Sequence, residues 1–231
     1  MAVNPSAASS IREYYDALAP AYDRDRFANS YGRYVDGLER GILASWLRGR
    51  AGDAVVELAC GTGRFLDFAG TGVDLSAAML EQAREKWPAR RLILADAAET
   101  GLPTGGFGAA FCFHLLMHLD ETTCRAVLAE AARLVRPGGS FIFDVPSRPR
   151  RHLSKRPPSG WHGDTSASIG DVRRWAGGAW RLKRWRGIVA LPIHRVPQRW
   201  RASLAGVDAL VGRTPLGRWS SYYVVELERA G

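Results

Sequence analysis

Val55-Val56-Glu57-Leu58-Ala59-Cys60-Gly61-Thr62-Gly63, followed a few residues later by Gly72-Val73-Asp74, decides how this chain folds. A short apolar run ends in an acid and breaks into a Gly-x-Gly turn; a second short run ends in another carboxylate. The pattern predicts a buried parallel strand, a tight turn, a helix over about residues 63–69, and a second strand with Asp74 at its tip. Glycine lets the backbone come close to a ligand, and an acid at the second strand's tip suits a ribose diol. A dinucleotide turn wants a third glycine three residues after Gly63, but Leu66 stands there. The phosphate cradle is lost and a nucleoside site is kept.

Outward from this stretch, strands and helices alternate. Strands are predicted near 54–58, 71–74, 92–95, 109–113 and 139–145, with helices near 76–87 and 120–134 opened by Ser76 and Asp120 as N-caps. Such alternation implies a parallel sheet covered on both faces, with ligands beyond the strands' carboxyl ends, where Gly61, Asp74, Asp96 and Phe113 gather. Upstream, Ser10-Ile11-Arg12-Glu13 reads as a capping box opening a helix through Leu18. A longer helix starts at Ser30, its apolar positions Tyr31, Tyr34, Val35, Leu38, Ile42 and Trp46 recurring at helical spacing. Downstream, a loop rich in Ser, Pro, Gly and Arg runs from Pro146 to about Gly170. A helix near 169–176, a strand near 180–191, a helix near 198–212 and a strand near 219–228 follow. The helix near 198–212 carries Trp200, Leu204, Val207 and Val211 on one face, which packs against the domain core or else against a membrane surface or partner.

Together these segments resemble the class I S-adenosylmethionine (SAM) methyltransferases, in their small-molecule and quinone-type branch. Asp96, after Leu92-Ile93-Leu94-Ala95, stands where that family places the acid facing the adenine amino group. Phe107-Gly108-Ala109-Ala110-Phe111-Cys112-Phe113 looks like its fourth strand, and Leu134-Val135-Arg136-Pro137-Gly138-Gly139 like the turn before its fifth. The resemblance covers residues 9–146 well and the remainder loosely. It implies a doubly wound α/β fold: a mostly parallel, seven-stranded Rossmann-like sheet with its last strand antiparallel, and an N-terminal helical lid. Residues 1–50 would form the lid segment and 51–231 the SAM-binding domain, with acceptor-binding elements in 147–215. Only eleven positions separate Gly63 from Asp74, so the first helix has room for about two turns, shorter than the family pattern.

Carried onto this sequence, the resemblance implies that Ala59, Gly61 and Gly63 approach the amino-acid part of SAM and that Glu57 faces its ammonium. Asp74 would take the ribose hydroxyls, Leu75 and Met79 would pack on adenine, and Asp96 and Ala97 would close its edge. Phe113 and His114 would sit beneath the methyl, and Tyr14 and Tyr22 would reach in from the lid. Methyl transfer is an in-line displacement that gains most from alignment of the reactants. His114 and His118 are the candidate catalytic residues, because histidine titrates near neutrality and can take a hydroxyl proton. Their i, i+4 spacing invites a metal reading, but no glutamate or third ligand accompanies them, so no metal is expected. Trp161, His162, His194 and Arg195 are candidates for the acceptor pocket: rings for flat molecules, arginine for a carboxylate or phosphate. Asn-Pro-Pro-Tyr, the signature for exocyclic amines, is replaced by Phe113-His114-Leu115-Leu116.

Charge divides the chain. Residues 1–147 hold 15 Lys and Arg against 18 Asp and Glu, a balance of −3; residues 148–231 hold 17 against 5, a balance of +12, with six of the eight tryptophans. A partner or substrate on the C-terminal side follows, or a solvated basic surface. Three cysteines form no disulfide framework and fit a reduced, cytoplasmic protein, and Met1–Ser10 lacks the features of a secretion signal. No apolar run reaches the ~20 residues of a membrane span. The expectation is a SAM-dependent methyltransferase acting on a small organic acceptor, anionic or aromatic, at oxygen. The alternatives are C-methylation of a prenylated quinone or lipid, methylation of RNA or protein through the basic half, and a SAM-binding protein that does not methylate. Nucleic acid is disfavoured because no RNA-binding module accompanies the tryptophans and arginines.

Overall fold

The computed structural model describes residues 5–154 and 165–231. In chain order the elements are α1 (Pro5–Leu18), α2 (Tyr22–Phe27), α3 (Ser30–Trp46), β1 (Val55–Leu58), β2 (Thr71–Asp74), α4 (Ala77–Lys86), β3 (Arg91–Leu94) and β4 (Phe107–Cys112). There follow α5 (Glu121–Leu134), β5 (Val135–Pro146), α6 (Arg148–Ser154), α7 (Ile169–Ala176), β6 (Trp180–Ile188), α8 (Gln198–Arg201), α9 (Ala205–Val211) and β7 (Tyr222–Arg229). The strands form one sheet in the order β3-β2-β1-β4-β5-β7-β6. Pairing is parallel from β3 to β5, while β7 runs antiparallel to both β5 and β6. The order reverses between β1 and β4, which opens a crevice at their carboxyl ends.

Period-two alternation builds two core layers on the sheet. Val56 and Leu58 of β1, Ala110 and Cys112 of β4, and Phe141, Phe143 and Val145 of β5 point to the α5 and α7 side, against Leu128, Val172 and Trp175. Val55, Ala109, Phe111 and Ile142 point the other way, against Val35, Leu38, Ile42 and Trp46 of α3 and Leu80 and Ala83 of α4.

Three expectations are corrected. No helix forms over 63–69: the segment joining β1 to β2 is a series of turns. Its apolar Phe65 and Leu66 are buried against α3, which occupies the layer a first crossover helix would fill. Second, Ser10 is not a cap, because α1 already begins at Pro5. Third, the helix near 198–212 is broken into α8 and α9 by a 3-10 turn, and its supposed core stripe is divided. Trp200 and Val207 are about half exposed, while Leu204 and Val211 are half-buried and Asp208 turns fully inward. The Asp208 carboxylate accepts from the Ala190 and Leu191 N–H groups, each at 3.2 Å, so this helix buries a polar anchor in place of an apolar stripe. The other caps stand as expected. Ser76 accepts from Met79 N at 3.1 Å and Asp120 from Thr123 N at 2.7 Å.

Candidate active site

The carboxyl ends of β1, β2 and β4 open into a cleft of roughly 1090 Å³, open solvent at its mouth included. Ala59, Asp74, Leu75, Met79, Asp96, Ala97, Phe113, His114, His118 and Tyr22 all line it. The ends of β1 to β4, together with α2 and α4, thus bring ten of the sequence-predicted residues together.

Asp74 organises the near wall. The Gly61 N–H donates to its Oδ2 at 2.7 Å and the Ser76 N–H to its Oδ1 at 2.9 Å. Burial still outweighs these donors and lifts its pKa above the ordinary carboxylate range. Each oxygen keeps a lone pair for a further donor such as a ribose hydroxyl. Ala59 holds a positive φ of 54°, unusual for a residue with a side chain, and so turns the chain at the strand's end. Gly61, at φ 54°, has nothing within 4 Å of where a Cβ would stand, which leaves open space beside its backbone, although it is not among the residues lining the cleft. Gly63 serves a different end: a Cβ there would meet Leu66 and Trp87 carbons at 2.9 Å. Its carbonyl accepts from Trp87 Nε1 at 2.8 Å. Gly63 is therefore a packing glycine set back from the cleft wall.

Glu57, also behind the wall, is almost fully buried with Oε2 lacking a partner among the described residues. Burial drives its pKa far above the ordinary value, only partly countered by Arg64. A cation arriving at this acid would compensate it.

At the far wall His114 sits in the left-handed region, φ 58°, where β4 ends. Its Nε2 lies 2.9 Å from Glu39 Oε1 on α3, and its Nδ1 3.8 Å from Asp144 Oδ2 on β5. The His114 N–H donates to Asp144 Oδ1 at 2.6 Å. Arg64 Nη1 donates to Glu39 Oε2 at 2.9 Å, its guanidinium stacked between the rings of Phe27 and Phe65. Burial alone would lower the His114 pKa, but Glu39 and Asp144 together raise it above the usual imidazole value. Burial would raise Glu39, yet His114 and Arg64 bring it below the ordinary range. Asp144 stays raised by burial. These donor atoms are close enough to hold a cation, and Arg64 already pairs with one of the carboxylates, Glu39.

The helices α1 and α2 of the N-terminal segment cover one side of the cleft. The Tyr15 hydroxyl and His118 Nε2 share a hydrogen bond of 3.0 Å, and Thr62 Oγ1 donates to Asp23 Oδ1 at 2.6 Å. Ser76 is bonded to Asp16, and Lys86 to Asp23. Tyr15, with Tyr22, lines the cleft, and burial raises the pKa of both phenols. Tyr14 instead packs edge-on against Tyr15, ring centroids 5.3 Å apart, outside the wall.

The acceptor candidates fare differently. Trp161 and His162 lie outside the described residues. His194 and Arg195 are exposed and absent from the cleft wall, because the turn carrying them buries Ile193 as its inward residue. Sequence reasoning missed Tyr15, Glu39 and Asp144. Two carried a signal: Glu39 interrupts the apolar stripe of α3 one turn after Val35, and Asp144 interrupts the run Phe141-Ile142-Phe143.

Residues 56–143 match the family model described as a methyltransferase domain, and the sheet order and the cleft at its carboxyl edge fit that match. The chain is similar to an uncharacterised protein of Methanocaldococcus jannaschii, 32% identical over 137 residues that make up 58% of this chain and 51% of that protein. It is also similar to the demethylmenaquinone methyltransferase of Tropheryma whipplei (strain Twist), 28% identical over 162 residues, 67% of this chain and 66% of that one. Among solved structures it is similar to geranyl diphosphate C-methyltransferase from Streptomyces coelicolor A3(2), crystallised with Mg2+, geranyl diphosphate and S-adenosyl-L-homocysteine. That likeness has a TM-score of 0.66 at 14% identity, over 99% of this chain and 100% of that one, and is a likeness of fold. The chain spans between about half and two thirds of the length of these curated relatives. No helix among the described residues is long and apolar enough to cross a membrane.

Proposed function

We propose that this chain is a SAM-dependent methyltransferase that moves a methyl group to an oxygen of a small organic acceptor. The observation that carries the reading is one continuous cleft with a nucleoside-sized half at Asp74, Met79 and Asp96 and a titratable wall at His114. SAM supplies a methyl group activated by its sulfonium. The chain's part is to bind, align and exclude water. Asp74 accepts the ribose hydroxyls, Leu75 and Met79 pack on adenine, and Asp96 with Ala97 closes its edge. Glu57 balances the ammonium, which accounts for a buried acid that Arg64 compensates only in part. Tyr15 and Tyr22 roof the cleft from the lid. His114, steadied by Glu39 and Asp144, faces the acceptor and takes its proton as the new bond forms. His118, tied to Tyr15, holds the lid closed on the same wall.

A second reading is C-methylation of a prenylated quinone or other lipid. It is favoured by the likeness to a demethylmenaquinone methyltransferase and by the apolar side chains Ile11, Leu115, Leu119 and Val127 in the cleft lining, where Arg12, Asp120 and Thr123 also stand. Calorimetric titration with S-adenosylhomocysteine, then transfer of a labelled methyl to pools of phenols, carboxylic acids and isoprenoid quinones, separates the two. Hydroxyl-dependent product supports the first, and product on quinone carbon supports the second. Absence of S-adenosylhomocysteine binding overturns both.

A further inference from the structure

We propose that the face formed by α6, α8, α9 and the turn Pro215–Trp219 docks the protein peripherally onto an anionic lipid surface. The inference goes beyond the catalytic reading and rests on a different part of the molecule. Seven large hydrophobic side chains are exposed among the described residues, and five of them fall in these elements: Leu153, Trp200, Val207, Leu210 and Leu216, each 49–65% exposed. The elements are contiguous, since α6 packs on the Pro215–Trp219 turn, the turn on α9, and α8 and α9 on α3. From Gln198 to Val211 the backbone stays right-handed through the junctions at Arg201, Ala202, Leu204 and Ala205. That continuity sets Trp200, Val207 and Leu210 on the outer side, while Asp208 faces inward.

Charge selects the occupant. Between residues 190 and 221 the only acid is Asp208, fully buried and bonded to backbone, and α6 contains none. Around the apolar side chains stand the exposed arginines Arg195, Arg199, Arg213 and Arg218, which make no ion pair among the described residues. Two of them lie over tryptophan rings instead: Arg218 over Trp219 at 3.8 Å and Arg199 over Trp200 at 5.8 Å. A surface of solvent-facing apolar side chains flanked by cations, with no exposed acid among the described residues of these elements, is complementary to lipid headgroups above acyl chains. Nucleic acid fits less well, because Leu153, Val207, Leu210 and Leu216 have no π face on which bases stack. The inner side of the same face joins the site: Arg201 Nη1 donates to Ser30 Oγ at 2.9 Å at the start of α3, the helix that carries Glu39.

The test is co-sedimentation of the full chain with vesicles of phosphatidylcholine alone or mixed with phosphatidylglycerol, at low and high salt. Binding to the mixed vesicles should exceed binding to phosphatidylcholine by at least about tenfold and fall as salt screens the arginines. The double variant Val207→Asp/Leu210→Asp should lose at least about tenfold of this binding while still binding S-adenosylhomocysteine. Should that variant fail to fold, Arg199→Glu/Arg213→Glu, which touches no packed residue of the core, is expected to show the same loss. Equal sedimentation with both vesicle types, or vesicle binding untouched by either variant, overturns the proposal. So does a dimer seen by velocity sedimentation that the variants dissolve, or retention of single-stranded RNA, where vesicles are not bound. Failure here with S-adenosylhomocysteine binding intact leaves the catalytic reading standing.

Discussion

His114 Nε2 and Glu39 Oε1 lie 2.9 Å apart, although one residue ends the fourth strand and the other sits midway along a helix of the N-terminal segment. The pair joins the roofing half of the molecule to the wall where the acceptor would stand. It also raises the pKa of the imidazole proposed as the base.

A pH profile follows. The carboxylates hold the His114 pKa above its ordinary 6.5, so the neutral base form appears only as pH rises through that raised value. Turnover at saturating SAM should therefore climb along an acid limb above pH 6.5. Glu39→Gln removes the larger raising charge, so the limb should move to lower pH. A limb that stays in place in this variant retires His114 as the titrating group.

Asp74→Ala should weaken S-adenosylhomocysteine binding by about 1–3 kcal/mol, since charge-assisted hydrogen bonds are lost and the Gly61 and Ser76 N–H groups lose their acceptor. Calorimetry reads this directly. Affinity equal to that of the parent chain counts against the ribose assignment.

Glu57→Gln should separate stability from binding. The buried acid is disfavoured when ionised in the free protein, so replacing it should leave the melting temperature unchanged or raised near neutrality. Affinity for S-adenosylhomocysteine should fall by about tenfold, near 1.4 kcal/mol. A variant that melts lower and binds normally would mark Glu57 as structural.

The two glycines of the turn should answer differently to alanine. Gly63→Ala forces a Cβ against Leu66 and Trp87, and thermal melting should report a loss of about 1–3 kcal/mol. Gly61→Ala meets no atom within 4 Å, so its stability loss should be confined to backbone strain of about 1–2 kcal/mol. Its larger effect should be on cofactor affinity. Equal melting losses in the two variants would contradict this division.

Most of the sheet could be read from the chain, because strands buried on both faces announce themselves as short apolar runs between glycine and acid. Asp74 and Asp96 were legible because each closes a short apolar run, although the run before Asp96 is the half-exposed edge strand β3. The turn segment after Gly63 misled, since its Phe65 and Leu66 look like the start of a helix and in fact pack beneath α3. The local trace of that substitution is the short spacing of eleven positions from Gly63 to Asp74, which shortened the expected helix without removing it. Glu39 and Asp144 were overlooked for a related reason. Each reaches His114 only through the fold, and an acid within an apolar stripe carries meaning only when its partner is known. At the C-terminal end, the spacing of Trp200, Leu204, Val207 and Val211 was helical as expected, but periodicity gives a face without saying which way it points.

Because α3 stands in for the missing crossover helix, the smallest autonomous folding unit extends upstream of the glycine turn. A fragment cut at Ala51 would uncover Phe65, Leu66 and Phe111 to water and leave His114 without its upstream carboxylate. Recombinant truncations and chimaeras should therefore move residues 30–47 together with the sheet as a single cassette.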